Sequence, residues 1–144
     1  MPPPTRPPIG VTLAGTAKVV SRAFDDALAA AGGSLPTWLV LLSVKTKHLA
    51  NQRELARAIG IQGATLTHHL NGMEADGLIV RQRDPANRRS HQVSLSDAGE
   101  ELFGRLATAA RAHDRRLRSG FSDAEIATLE GLLQRMRENV EPPD

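Results

Sequence analysis

The stretch QRELARAIGIQGATLTHHLNGMEADGLI, residues 52–79, decides the fold. Leu55, Ala56, Ile59, Ile61, Leu66 and Leu70 recur at steps that turn them toward one core, in two helical runs separated by Gly60. The first run opens at Asn51, where N-x-x-E (Asn51, Glu54) is a capping box, and ends at Gly60. The second spans about 63–75 and stops at Gly77. Gly60 permits the positive φ that reverses the chain, and Ala56 is small where the second helix crosses closely. This is helix-turn-helix spacing, although a plain helical hairpin would share it over these residues alone.

The next segment separates the two. LIVRQR (78–83) and SHQVSL (90–95) are short, β-prone and alternating, and DPANRR (84–89) between them reads as a turn around Pro85, so the pair is expected as a two-stranded hairpin. A hairpin directly behind the second helix makes the unit a winged helix-turn-helix. Between residues 81 and 91 four arginines, Arg81, Arg83, Arg88 and Arg89, stand against Asp84. An arginine at a hairpin tip can enter a narrow minor groove while a helix fills the neighbouring major groove. By itself such a loop is better read as a solvated turn; beside the helix pair it reads as a wing.

Outward from this lobe the pattern is helical. Residues 11–31 carry Leu13, Ala17, Val20, Phe24, Ala27, Leu28 and Ala31 at three- and four-residue steps and stop at Gly32-Gly33. A second helix is expected over 35–47, with Ser34 as its cap and Pro36 in its first turn. Ser96 caps a long helix to about 118, and Phe121-Ser122-x-x-Glu125-Ile126 combines a capping box with a hydrophobic staple at the start of the last. The expected organisation is a Pro-rich tail (1–9), N-terminal dimerisation and linking helices (10–48), the DNA-binding lobe (49–95), C-terminal dimerisation helices (96–140) and a tail (141–144). The fold class is mostly α, with six helices and a small β wing.

Composition narrows the function. The 144 residues carry 18 Lys plus Arg against 16 Asp plus Glu, yet the sequence pI is 9.7. Arginine supplies all but three of those cations, the exceptions being Lys18, Lys45 and Lys47, so the small surplus persists to high pH. Zero Cys excludes a disulfide framework, thiolate zinc sites, iron–sulfur clusters and thiol-based redox sensing. The scarce aromatics, Phe24, Trp38, Phe103 and Phe121, argue against a stacking surface for single-stranded nucleic acid. The start MPPPTRPPIG has no apolar signal core and the longest apolar run, WLVLL (38–42), is too short for a bilayer, so a cytoplasmic protein is expected.

From these residues the chain resembles the MarR (multiple antibiotic resistance regulator) family. The resemblance covers about residues 10–140 in element order and is most specific over 53–102, which hold the helix-turn-helix, the wing and the SLSDAG run (94–99) leading into the long helix. It implies a dimer of six-helix protomers with winged DNA-binding lobes, regulating transcription and often released by small ligands. Arg89 matches the family's groove-entering wing arginine. The family's wing Asp-x-Arg is here Asn87-Arg88-Arg89, so Asp84 is left as the candidate ion-pair partner. The family often has Arg or Lys on the exposed face of the recognition helix; here His68 and Gly72 occupy those turns.

Taking Leu66, Leu70 and Met73 as the buried stripe, Ala64, Thr65, His68 and Gly72 point outward, with Thr67 and Asn71 on one flank. Gln62, Gly63 and Thr65 lie at the helix N-terminus, where free N–H groups suit a phosphate. The candidate recognition residues are therefore Gln62, Gly63, Ala64, Thr65, Thr67 and His68. His69, beside the core stripe, reads as a structural histidine with base reading as the alternative. His48, His91 and His113 are isolated, and the adjacent His68 and His69 diverge, unlike a helical chelate at i, i+4; no metal and no cofactor are expected.

Arg111, Arg115, Arg116 and Arg118 near the end of the long helix complement its C-terminus or pair with a partner subunit. Excess apolar surface on the first helix (Val11, Leu13, Ala14, Val19, Val20, Ala23, Phe24) and on the last suggests a core shared between two subunits. Two-fold symmetry then predicts a pseudo-palindromic operator with half-sites about 10 base pairs apart. The competing class is a small-molecule-binding helical domain without DNA function. Its candidate residues are Phe24, Trp38, His48, Phe103 and His113, although Trp38 reads first as a core residue. No nucleophile elbow or phosphate-binding glycine loop supports an enzyme.

Overall fold

Leu35–Lys47 forms the helix around which the first 110 residues pack, because apolar side chains leave it in more than one direction. Ser34 caps it, its Oγ accepting the Thr37 N–H at 3.3 Å, and Pro36 sits in the first turn where a missing N–H costs nothing. In the computed structural model this is α2, following α1 (Ile9–Ala30). The structure describes residues 1–3, 5–47, Ala56, 63–84 and 86–143; for residues 47, 83, 84 and 87–91 it describes the backbone alone. The helix expected over 51–60, with its capping box and Gly60, lies outside the described residues except for Ala56, which is helical and buried. Five helices are therefore described against the six expected.

After that segment come α3 (Gly63–Ala75), β1 (Ile79–Asp84), β2 (Asn87–Leu95), α4 (Asp97–Arg118) and α5 (Asp123–Val140). The chain divides into two compact units, residues 1–110 and 111–144. In the first, Leu28 of α1, Val40 and Leu41 of α2, Leu66 and Leu70 of α3, Ile79 of β1 and Leu106 of α4 are fully buried in one cluster. Val44, Ala56, Met73, Val93, Leu102 and Ala107 complete it. Each Leu or Ile so buried contributes roughly 1.5–3 kcal/mol relative to an exposed one, so this cluster rather than helix propensity holds the lobe.

Helix α3 ends where the sequence places its stop. Gly77 has φ +74°, and the Leu78 N–H donates to the Met73 carbonyl (2.9 Å) while the Gly77 N–H donates to Glu74 (3.0 Å), the paired bonds of a Schellman motif. The chain then enters an antiparallel hairpin in the register Ile79↔Leu95, Arg81↔Val93 and Arg83↔His91, with an irregularity before Asp84↔Asn87. The second strand is longer than expected. It starts at Asn87 rather than Ser90, so Arg88 and Arg89 belong to β2 and not to a six-residue turn. The cause is the register shift at Arg83/Asp84, which lets the ladder close again beyond the extra residues.

In the second unit Ser122 begins α5 with both halves of a capping box. Its Oγ accepts the Glu125 N–H (3.1 Å), and its own N–H donates to Glu125 Oε1 (3.0 Å). The bond from the Ser122 backbone, then that with its side chain, holds the Glu125 carboxyl below the usual glutamate range. A depressed carboxylate stabilises the fold above its unfolded pKa, and that stabilisation is lost as pH falls through the lower folded value. Ser122→Ala is expected to cost about 1 kcal/mol, read by urea unfolding, while Glu125 stays below the usual glutamate range because the residue-122 backbone N–H is kept. A variant as stable as the wild type would show that the Ser122 hydroxyl does not cap α5 in solution.

Helix α5 buries none of its residues in the described chain: Leu129, Leu132, Leu133, Met136 and Val140 are all exposed. At the other end α1 buries only Leu28, and Ile9, Val11, Leu13 and Val19 face outward, Val19 at 70% exposure. Among the described residues no single helix is long and apolar enough to cross a membrane.

Candidate nucleic-acid interface

The packing of α3 fixes what it can present. Leu66, Leu70 and Met73 are buried, so the opposite side is committed to solvent: Gly63, Ala64, Thr65, His68, Asn71 and Gly72 are all exposed. Thr67 is half-buried, and its Oγ1 donates to the Gly63 carbonyl at 2.9 Å, which turns the hydroxyl proton back onto the helix. His69 is also half-buried, its ring 6.1 Å from that of His68 and tilted by 58°. The outer face therefore consists of small and polar groups, with no Lys or Arg between Gly63 and Ala75. A face of this kind admits close approach of a groove but supplies no fixed positive charge of its own. Gln62, expected at its N-terminus, lies outside the described residues.

The positive charge lies on the hairpin. In β1, Ile79 is buried, Val80 is exposed and Arg81 is half-buried, the alternation of a strand with one face on the core. Arg81 consequently points toward α3 rather than away from the protein. Its Nε donates to Glu74 Oε2 at 3.2 Å and one terminal nitrogen donates to Asn71 Oδ1. Of the four wing arginines it is the one whose side chain is described; those of Arg83, Arg88 and Arg89 lie outside the described residues, as do those of Asp84 and Asn87. Arg83 pairs with His91 and Asp84 with Asn87, while Arg88 and Arg89 lie within β2 at the register shift between those pairs.

The junction from the wing to α4 is equally defined. The Ser96 N–H donates to the Leu78 carbonyl (3.0 Å), its Oγ donates to the Gly77 carbonyl, and the Gly99 N–H donates to Ser96 Oγ at 3.1 Å. The serine that caps α4 thus also holds the turn that ends α3. One side chain fixes both ends of the hairpin.

The candidate ligand residues are placed differently. Trp38, 8% exposed, stacks on Phe103 with ring centroids 5.6 Å apart and planes 18° from parallel. Phe24 and Phe103, both half-buried, pack against the same core cluster. Trp38 is therefore core. Lys45 lies 5.9 Å above the Phe103 ring and makes a 2.7 Å ion pair with Glu100, a partially exposed contact that ties α2 to α4. His48 lies outside the described residues, and His113 belongs to the second unit. Among the described residues no three His, Asp or Glu side chains cluster as a metal would require.

Arg118, in the basic run at the end of α4, pairs within the chain, with Asp114 at 2.7 Å and Glu130 at 3.8 Å. The Asp114 hydrogen bond, then its charge, raises the guanidinium above its ordinary value. Sequence reading had not anticipated Asn71 and Glu74 as partners of Arg81. The strand alternation carried the signal, because Arg81 shares the face of Ile79.

A helix with a solvent-committed polar face, followed by a two-stranded hairpin and locked to the next helix, defines a winged helix-turn-helix protein. A MarR family model matches residues 34–91. A protein of Thauera aromatica described as a transcriptional regulator for the hcr operon is 33% identical over 94 residues, 65% of this chain and 57% of that protein. The chain thus spans under two thirds of that relative's length. Among solved structures, one described as a transcriptional regulator from Pseudomonas aeruginosa is 30% identical with a TM-score of 0.74, covering 90% of this chain and 96% of that one. The fold of a MarR variant from E. coli complexed with operator DNA superposes with a TM-score of 0.78 at 21% identity, covering 90% and 93% of the two chains. The chain belongs to the MarR family.

Proposed function

We propose that this protein is a dimeric, sequence-specific regulator of transcription that binds double-stranded DNA in the cytoplasm, as a repressor on a pseudo-palindromic operator. The observation that carries the reading is the division of labour in the lobe: an outer face on α3 without Lys or Arg beside an antiparallel hairpin bearing the arginines. Gly63, Ala64, Thr65, Thr67 and His68 would meet base edges, with Gln62 at the helix start and Arg83, Arg88 and Arg89 on the phosphates or in the minor groove. Likeness to a family member solved with operator DNA supports the fold required for this role.

The exposed apolar residues of α1 and α5 support a subunit core shared by two copies. Release by a small ligand is the regulatory part of the proposal, acting near the half-buried Phe24 and Phe103 beside Trp38, and needs a ligand that prefers the arrangement mismatched to the operator. No enzymatic role is proposed.

Selection of duplexes from a random-sequence library is expected to return two related half-sites about 10 base pairs apart. Sedimentation at micromolar concentration is expected to give a dimer. Recovery of unrelated duplexes would point to a non-specific architectural protein, and a species of only 15.5 kDa would defeat the two-fold reading.

A further inference from the structure

We propose that Arg81 is a positioning residue for operator recognition: it clamps α3 to the hairpin through Glu74 and Asn71 and fixes the Asn71 side chain as a donor on the reading face. This rests on the DNA-binding reading above and departs from the simpler view of Arg81 as one more phosphate cation. Its side chain is only 18% exposed, and the guanidinium is engaged by Glu74 (3.2 Å to Oε2, 3.4 Å to Oε1) as well as by Asn71. A cation already paired and mostly covered releases little counterion charge when a phosphate arrives.

The geometry also has a chemical consequence for Asn71. Guanidinium has five N–H donors and no acceptor, so the amide of Asn71 must turn its Oδ1 toward Arg81. Its Nδ2 group is thereby left as the end not engaged by Arg81. Asn71 is exposed and lies three residues after His68, on the flank of the outer face. An amide held in one orientation can present its N–H to a base-edge acceptor without first losing rotamer freedom. Arg81 reaches α3 from a neighbouring strand, so it sets both where the helix sits and which end of Asn71 faces outward.

The test compares two duplexes, one selected by the wild-type protein from a random library and one unrelated duplex of equal length, each titrated over a range of salt. Arg81→Gln is expected to weaken binding of the selected duplex about tenfold, the scale of coupling between residues in contact. Binding of the unrelated duplex and the slope of log K against log salt should stay at wild-type values. Arg81→Lys should restore part of the loss, because it keeps the charge beside Glu74 but not the planar fork.

If instead Arg81→Gln weakens both duplexes alike and lowers the salt slope by about 0.9, Arg81 neutralises a phosphate and the proposal is overturned. Wild-type affinity and discrimination in Arg81→Gln overturn it as well. Should circular dichroism show that Arg81→Gln does not fold, Glu74→Gln and Asn71→Ala, at exposed positions, decide by the same two readouts: lost discrimination at constant slope supports the clamp, and unchanged discrimination removes it. A wild-type protein that selects no duplex defeats the DNA-binding reading itself, an outcome distinct from a discriminating wild type with an indifferent Arg81→Gln.

Discussion

Gly99→Ala is expected to destabilise the protein by about 3 kcal/mol, the upper part of the usual range for forcing extra atoms into a packed site. The direction is the opposite of what helix propensity gives, since alanine in a helix interior is ordinarily better than glycine by about 1 kcal/mol. Packing reverses it. An added Cβ would overlap the Leu78 carbonyl oxygen, and would stand 3.1 Å from the Leu78 carbonyl carbon and 3.5 Å from Leu95 Cβ. That oxygen is main chain and already accepts the Ser96 N–H, so it cannot swing aside as a side chain tip would.

Relieving the clash means lifting the start of α4 off the α3–β1 turn and losing the Ser96 bonds to Gly77 and Leu78. Gly104→Ala is the control, in the same helix with nothing within 4 Å of the added Cβ, and it should stabilise slightly. Urea unfolding of both variants at one protein concentration decides. A Gly99→Ala protein as stable as Gly104→Ala would mean that the close approach to Leu78 does not exist in solution.

The second large effect is expected from Leu70→Ala, at about 3 kcal/mol. Leu70 is fully buried and lies with Leu66 and Met73 on the inner face of α3, in the cluster that includes Leu41 and Ile79. Removing three carbons there forfeits their transfer free energy and leaves a cavity whose walls belong to three different elements, so it cannot collapse by moving one of them. Against a total stability of roughly 5–15 kcal/mol for an ordinary domain, this is a large share.

His68→Ala, two residues away on the exposed side, should change stability by no more than about 0.5 kcal/mol while altering DNA binding. Hydrogen exchange gives the local readout, with the α3 amides of Leu70→Ala losing protection relative to those of α2. Equal stability losses for the two variants would show that α3 does not pack by the face described here.

Much of this architecture is legible in the sequence because its signals are local. Ser34, Ser96 and Ser122 cap the helices that follow them, since a serine hydroxyl reaches an N–H three residues on whatever the tertiary surroundings. Gly77 ends α3 for a similarly local reason, its positive φ. The stripe of Leu66, Leu70 and Met73 follows from helical periodicity and is the buried one. Legibility fails where pairing over distance decides. The start of β2 at Asn87 depends on a register shift opposite Arg83, and turn composition alone placed those residues in a loop.

The candidate site divides along the same line. That 63–75 makes a helix ended by Gly77 and followed by a hairpin is set by periodicity, glycine placement and β-propensity, all properties of neighbouring residues. So is the outer face of α3 without Lys or Arg, because burying one stripe commits the other. What Arg81 does is a tertiary matter. In the sequence it is one of four equivalent-looking wing cations; in the structure it shares the face of Ile79 and meets Glu74 and Asn71, the one of the four whose side chain is described. The partners lie seven and ten residues before it, across a helix end and a turn, beyond the reach of any local rule. Trp38 reads from the sequence as core with a pocket as the alternative, but its stacking partner Phe103, far along the chain, is a tertiary matter. Short-range sterics and hydrogen bonds specify the elements, and only their packing against one another fixes which side chains are used up inside and which are left exposed.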